Sequence, residues 1–131
     1  MDKLFELGIN DSDIKNMLEQ VPSIMDMSSS EVCEKIDILK YVMCNDRQIK
    51  DIISSNPYYL DRINGDVLKL INYLQMLGFS NLNLLFDSNP YFLNYDVFEI
   101  EEYVNKRRND GMDIIDIVDE IDSNPYIIDE C

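Results

Sequence analysis

The sequence contains no histidine, no tryptophan and no alanine. Without histidine, the Ser-His-Asp and Cys-His arrangements of nucleophilic catalysis are impossible, and so is metal binding through imidazole. Without tryptophan and alanine, the chain cannot carry the tetratricopeptide signature, which needs small residues where its helices approach closely. The many carboxylates leave acid–base chemistry open, but nothing in the sequence marks a pocket for it. We therefore predict a non-enzymatic protein with no cofactor and no metal site.

Cysteine and long apolar segments are also scarce. The three cysteines, Cys33, Cys44 and Cys131, form no close pair. This pattern favours small buried side chains and one exposed terminal thiol over a metal or redox role. The sequence has no apolar run long enough to span a membrane, no signal peptide and no basic amphipathic stretch. These features predict a cytoplasmic location and no membrane partner.

Positive charge is in short supply. Asp and Glu number 26 against 11 Lys and Arg, so the net charge is −15, and residues 112–131 contain no basic residue at all. Such a field repels nucleic acid and anionic lipid at long range. It favours a basic protein partner, or mimicry of a phosphate backbone, and it disfavours nucleic acid as a partner.

Proline is rare but regularly placed. The four prolines, Pro22, Pro57, Pro90 and Pro125, are separated by steps of 35, 33 and 35 residues. Three of them lie in one repeated phrase, Ser-Asn-Pro-Tyr followed by two apolar residues and Asp or Asn, at 55–61, 88–94 and 123–129. A fixed period of this length indicates stacked supersecondary units.

Each repeat predicts a short helix, a turn and a longer helix. Apolar residues stand eight and four positions before every proline, a spacing that places them on one helix face. The residues predicted to cap the short helices are Asn10, Asn45, Ser80 and Asp113. The apolar pair after each proline predicts a tight turn tucked under the repeat, and Asn before the proline is expected to tolerate unusual backbone geometry. Longer helices follow at about 28–43, 64–76 and 96–109, and Leu77-Gly78 ends one of them in a left-handed cap.

These patterns predict an all-α fold, an α-solenoid of about three and a half helix–turn–helix repeats of 33–35 residues. We expect a single domain over residues 1–131, with repeats at approximately 8–43, 44–77, 78–111 and 112–131. The last unit lacks its second helix, which leaves the apolar residues Ile127 and Ile128 partly uncovered. A homodimer contact, a longer native chain or a binding partner could cover them.

The order of short helix, proline, apolar pair, long helix and Leu-Gly resembles the repeat of the mitochondrial transcription termination factor (mTERF) family. The resemblance covers nearly the whole chain. The residues that carry it are Leu7-Gly8, Ile14, Leu18 and Pro22; Ile49, Ile53 and Pro57; Leu77-Gly78, Leu82, Phe86 and Pro90; and Ile117, Ile121 and Pro125 with the apolar pairs that follow the prolines. It implies a curved α-solenoid whose basic concave face binds nucleic acid.

Two sets of residues are candidates for binding. Tyr58, Tyr91 and Tyr126 each follow an Asn-Pro pair, so they should line one edge of the stack. They form either an exposed protein-binding strip or rings packed on the neighbouring repeat. The candidates for nucleic-acid binding are Arg47, Lys50, Arg62, Lys69, Lys106, Arg107 and Arg108. Together with Lys35 and Lys40, these cations either converge on the concave face or scatter over a solvated surface.

The last predicted helix carries Asp113, Asp116, Asp119, Glu120 and Asp122. No Asp-rich loop with a central glycine accompanies them, so the pattern predicts a solvated acidic face and not a calcium site. The leading functional hypothesis is a protein–protein interaction module with a basic partner. The alternatives are nucleic-acid binding, as the family resemblance implies, and an acidic nucleic-acid mimic that inhibits a DNA- or RNA-binding protein.

Overall fold

A computed structural model describes residues 2–130, and every regular element within that range is helical. The α-helices are α1 (Asp2–Glu6), α2 (Asp11–Gln20), α3 (Ser29–Tyr41), α4 (Asp46–Ser55), α5 (Asn64–Leu77), α6 (Leu82–Ser88), α7 (Val97–Asn109), α8 (Ile114–Ser123) and α9 (Ile127–Glu130). Three proline turns of 3₁₀ helix separate short from long helices: T1 (Pro22–Asp26), T2 (Pro57–Asp61) and T3 (Pro90–Asn94). The predicted all-α repeat fold is confirmed.

The repeats stack so that like elements contact like elements. The short helices α2, α4 and α6 follow one another in one layer, and the long helices α3, α5 and α7 follow one another in a second layer. T1, T2 and T3 also contact in order, and α1 packs on α3. One apolar cluster runs between the layers from Leu4 to Ile121. Since no single repeat can bury its own apolar stripe, the stacking itself creates this core.

Proline sets the boundary between each short helix and its turn. It occupies the first position of T1, T2 and T3, where its missing N–H removes no hydrogen bond. The preceding residue leaves the helical region, with φ and ψ of −129° and 75° at Asn56 and nearly the same values at Val21. Because valine adopts this backbone as readily as asparagine, unusual backbone geometry does not account for the repeated Asn. The amide side chain accounts for it, because it donates hydrogen bonds to the next proline turn.

The apolar pairs after the prolines are buried in T2 and T3, where Tyr59, Leu60, Phe92 and Leu93 lie in the core. T1 differs, because Ile24 is buried but Met25 is 68 % exposed. The prediction that both residues of every pair lie under the repeat is therefore wrong for Met25. In the fourth repeat, Ile127 and Ile128 are half-buried and pack against the core cluster.

Capping side chains fix most helix starts. Ser28 with Glu31, Asn45 with Gln48, and Asp96 with Glu99 form reciprocal capping boxes at α3, α4 and α7. Asn10 and Asp113 cap α2 and α8 in one direction only, through the backbone N–H groups of Asp13 and Asp116. The left-handed caps are also present, with φ of +91° at Gly8 and +108° at Gly78.

The predicted cap at Ser80 is wrong. Helix α6 begins at Leu82, and the residue before it, Asn81, makes no side-chain capping bond. With 7 residues, α6 is shorter than the 10-residue helices α2, α4 and α8. The layer of short helices therefore lacks about one helical turn at α6.

We expect Asn45→Ala to lower the free energy of unfolding by about 1 kcal/mol, because the Gln48 N–H loses its bond to Asn45 Oδ1 at the start of α4. Asn81→Ala is the matched control at α6, where no capping bond exists to lose, and it should change stability by less than about 0.5 kcal/mol. Urea unfolding followed by circular dichroism measures both values. Equal losses for the two variants would contradict the assignment of the cap.

Candidate binding surface along the proline turns

Tyr58, Tyr91 and Tyr126 form what we call the tyrosine edge. Their side chains are 46 %, 47 % and 45 % exposed. The hydroxyl of Tyr91 donates to the carbonyl oxygen of Ser55 at 3.1 Å, and that of Tyr126 donates to the carbonyl oxygen of Ser88 at 3.3 Å. Each of these two rings thus reaches back to the preceding repeat and still exposes nearly half of its surface. The sequence left open whether these rings are exposed or contact the neighbouring repeat, and Tyr91 and Tyr126 do both.

Buried asparagines hold the turns together beneath this edge. The Asn56 amide nitrogen donates to the carbonyl oxygen of Pro90 and to Oδ1 of Asn94, both at 2.9 Å, and Asn94 returns a bond of 3.0 Å to Asn56 Oδ1. One repeat later, the Asn89 amide nitrogen donates to the carbonyl oxygen of Pro125 at 2.9 Å. Asn56 and Asn89 are almost completely buried. These bonds fix the spacing of T2, T3 and the fourth proline corner.

The first junction is built differently. Val21 stands where the later repeats have asparagine, and Ser23 stands where they have tyrosine. A single bond of 3.2 Å from Ser23 Oγ to Asp61 Oδ1 links T1 to T2 at this level. Sequence reasoning missed the role of the asparagines, although their threefold recurrence before proline was a usable signal.

The candidate cations lie on several elements of the fold. Arg47 and Lys50 lie on α4 and Arg62 lies just after T2, whereas Lys69 lies on α5 and Lys106, Arg107 and Arg108 lie on α7. Lys35 is buried and donates to Asn64 Oδ1, and Lys40 is exposed on α3.

Three guanidinium groups are engaged within the molecule. Arg47 Nη1 pairs with Asp51 at 2.9 Å, and its Nη2 pairs with Asp87 at 3.2 Å. Arg62 Nη2 donates to the carbonyl oxygen of Tyr95 at 3.0 Å, which adds a link between consecutive repeats.

The third guanidinium, that of Arg107, forms an ion pair with Glu120, with Nη2 at 2.8 Å from Oε2. The Tyr103 hydroxyl donates to the other oxygen of Glu120. The bonds from Tyr103 and Arg107 hold the pKa of Glu120 below its usual value. This group joins α7 to α8.

The basic triplet shares its helix with acids. Lys106 and Arg108 are exposed at the carboxyl end of α7, where the helix dipole stabilises positive charge. Phe98, Glu101, Glu102, Lys106 and Asp110 line one open surface depression there. The exposed positive charge of α7 is therefore interleaved with carboxylates.

The acidic side chains lie at the surface. No Asp or Glu within residues 2–130 is buried, and the exposed acids include Asp113, which caps α8, and Asp116, Asp119 and Asp122 on α8. In the same part of the chain, no group of carboxylates and thiols is arranged to hold a metal ion. Burial, together with the nearby Asp119, raises the pKa of Asp122 above its usual value.

A groove of about 240 Å³ opens beside the tyrosine edge, between α6 and α8. Its walls carry the exposed Leu84 and the buried Leu85, with Asp122 on the side of α8. The remaining lining residues are Asn81, Ser88 and Pro125. Two lining residues connect the groove to the tyrosine edge: Pro125 precedes Tyr126 in the chain, and the carbonyl oxygen of Ser88 accepts the bond from the Tyr126 hydroxyl.

The thiols take no part in this surface. Cys44 is buried, and burial raises its pKa to about 12, so it is protonated and unreactive at neutral pH. Cys33 is half-buried. The predicted exposed thiol, Cys131, lies outside the described residues.

The stacked short and long helices, joined by proline turns and by side-chain bonds from repeat to repeat, define an α-helical repeat protein. A model of the mTERF family matches residues 1–130, and the chain belongs to the mTERF family. No match was found among the curated proteins. Of the helices in residues 2–130, none has the length and apolar character needed to cross a membrane.

Proposed function

We propose that this chain is a non-enzymatic helical-repeat module that binds a basic protein partner through the tyrosine edge. Tyrosine supplies a large contact area with few rotatable bonds, so it is favoured at the energetic centre of protein interfaces. The acids beside the edge, Asp61, Asp122 and Asp129, are exposed and give the rim a negative charge. A basic partner matches this combination of aromatic strip and acidic rim.

The observation that carries the proposal is the engagement of Arg47, Arg62 and Arg107 within the fold. Nucleic-acid binding draws its affinity from cations that neutralise phosphates. Cations that already pair with carboxylates and carbonyls of the same chain must give up those bonds to contact phosphate, whereas every acid adds to the repulsion. The net charge of −15 favours the same kind of partner, because a field of this sign attracts basic proteins and repels nucleic acid.

The construction of the edge favours binding as well. The bonds of Asn56 and Asn89 hold successive turns at a fixed spacing, and the hydroxyls of Tyr91 and Tyr126 are anchored to the preceding repeat. Side chains that are already ordered lose less conformational entropy when a partner docks. The edge is therefore a preorganised surface.

Selection from a fully random displayed peptide library tests the proposal. We expect enrichment of peptides with arginine or lysine next to apolar residues. The Tyr91→Ala/Tyr126→Ala double variant should bind the enriched peptides at least about tenfold more weakly, because two rings of the edge are removed. The matched Tyr91→Phe/Tyr126→Phe variant keeps both rings and should retain most of the affinity. Circular dichroism confirms that both variants are folded.

Two results would overturn the proposal. One is enrichment of acidic or neutral peptides. The other is an equal loss of affinity in the alanine and phenylalanine variants, which would assign the effect to the hydroxyl bonds between repeats and not to ring contact.

Nucleic-acid binding is the second candidate, and membership of the mTERF family favours it. Lys69, Lys106 and Arg108, which are exposed on the long helices, are among the cations available for it. A gel-shift assay with duplex DNA and single-stranded RNA at low and moderate salt separates the two functions. Binding that falls steeply with salt and is lost in the Lys69→Gln/Lys106→Gln/Arg108→Gln variant would establish this second function.

A further inference from the structure

The junction between α4 and α6 shows how this fold neutralises a carboxylate between repeats. Arg47 stands ten residues before Pro57, and its guanidinium bridges two acids. Asp51 lies on the same helix, six residues before Pro57. Asp87 lies on the next short helix, three residues before Pro90. The cation thus bridges consecutive short helices at the surface.

The following junction has the carboxylate without the cation. Position for position, Ser80 replaces Arg47, Leu84 replaces Asp51, and Asp122 replaces Asp87. Across residues 2–130, no lysine or arginine pairs with Asp122. Asp122 and Leu84 instead line the open groove of about 240 Å³, beside a helix α6 that begins only at Leu82.

The surroundings of the groove favour a cation with an apolar stem. Leu84 and Leu85 line it, and Leu84 is 54 % exposed. Asp119 on α8 adds a second negative charge near Asp122, and α8 itself contains no basic residue. The raised pKa of Asp122 agrees with a carboxylate that is partly desolvated and uncompensated.

We propose that this groove binds an arginine side chain of the protein partner, with its guanidinium on Asp122 and its methylene groups against Leu84 and Leu85. This inference rests on the proposed function and specifies one contact of it. Arginine is preferred to lysine because its planar fork can take both carboxylate oxygens.

The test uses the tripeptide acetyl-Gly-Arg-Gly-amide and its citrulline counterpart, which is uncharged but nearly the same in shape. In an NMR titration, we expect saturable shifts of the Leu84, Leu85 and Asp122 amides with the arginine peptide. The citrulline peptide should bind at least about tenfold more weakly, since it lacks the charge that pairs with Asp122. Asp122→Asn should abolish the saturable shifts, whereas Asp116→Asn, the same charge change on α8 outside the groove, should leave them.

Asn81→Arg provides a second test, in which misfolding cannot explain a loss of binding because the variant is expected to remain stable. Asn81 lines the groove and makes no capping bond, so an arginine there can pair with Asp122 within the chain. We expect this variant to be at least as stable as the parent and to exclude the tripeptide. Shifts spread over all acidic surfaces, or equal effects of Asp122→Asn and Asp116→Asn, would overturn the inference.

The two proposals fail in different ways. If the random library yields basic peptides that bind Asp122→Asn as well as the parent, the groove assignment is wrong and the proposed function stands. If the library yields no basic peptides but the tripeptide titrates into the groove, the proposed function is wrong and the cation site remains.

Discussion

Replacing Phe92 with alanine is expected to lower the free energy of unfolding by about 3–5 kcal/mol. Phe92 is fully buried in T3, where it joins the turn to the core. Its ring lies 6.3 Å from that of Phe86 and 5.0 Å from that of Tyr95, the latter in a T-shaped arrangement. The truncation removes both aromatic contacts and leaves a cavity that rigid neighbouring helices cannot fill.

Phe98→Ala is the matched control for this prediction. Phe98 belongs to the adjoining helix α7 but is 71 % exposed, so its removal should change stability by less than about 0.5 kcal/mol. Urea unfolding of both variants, with equal slopes against denaturant, gives the comparison. If Phe92→Ala were no less stable than Phe98→Ala, the core would not depend on the proline turns.

The repeat could be predicted because its signals are local. Proline ends a helix through its own ring, and apolar residues four positions apart share a face whatever surrounds them. The start of α6 could not be predicted in this way. A helix capped by Ser80 would place Leu84 where Ile14 and Ile49 are buried, but Leu84 is exposed.

The burial of Leu82, Leu85 and Phe86 decides the phase of α6. Leu82 and Phe86 keep the positions eight and four residues before the proline that are buried or packed against the core in the other repeats. The free energy gained by burying these side chains exceeds that of a cap at Ser80, which would contribute about 1 kcal/mol. Tertiary packing therefore overrides the local signal at this one helix. The open groove beside α8 follows from the same shortening, so it was not predictable either.

The position of the tyrosines follows from the repeat, but the partners of the polar residues do not. Arg47 finds Asp87, and Asn56 finds Asn94, at separations of 40 and 38 residues. The period indicates that such residues come near one another, yet it does not say which side chains meet. The partners of Arg47, Arg62 and Arg107 within the chain could therefore be identified only from the structure.

Asn56→Ala is expected to lower the free energy of unfolding by about 2–4 kcal/mol, since each buried polar group left without a partner costs about 1–3 kcal/mol. Asn56 is fully buried, and its amide makes bonds to the Pro90 carbonyl and to Asn94 in both directions. Its removal leaves the Pro90 carbonyl and the Asn94 amide facing an apolar gap. Thermal and urea unfolding measure the loss.

Asn124→Ala tests whether the loss comes from bonds between repeats. Asn124 holds the same place before its proline, but its side chain bonds only to the neighbouring Tyr126 and Glu130. Its replacement should therefore cost no more than about 1 kcal/mol. If the two alanine variants were equally stable, the amide bonds would not set the spacing of the turns. If Asn56→Ala is less stable than Asn124→Ala, the spacing of the tyrosine edge depends on the buried side chain of Asn56. Peptides selected on the parent chain should then also bind this variant less tightly.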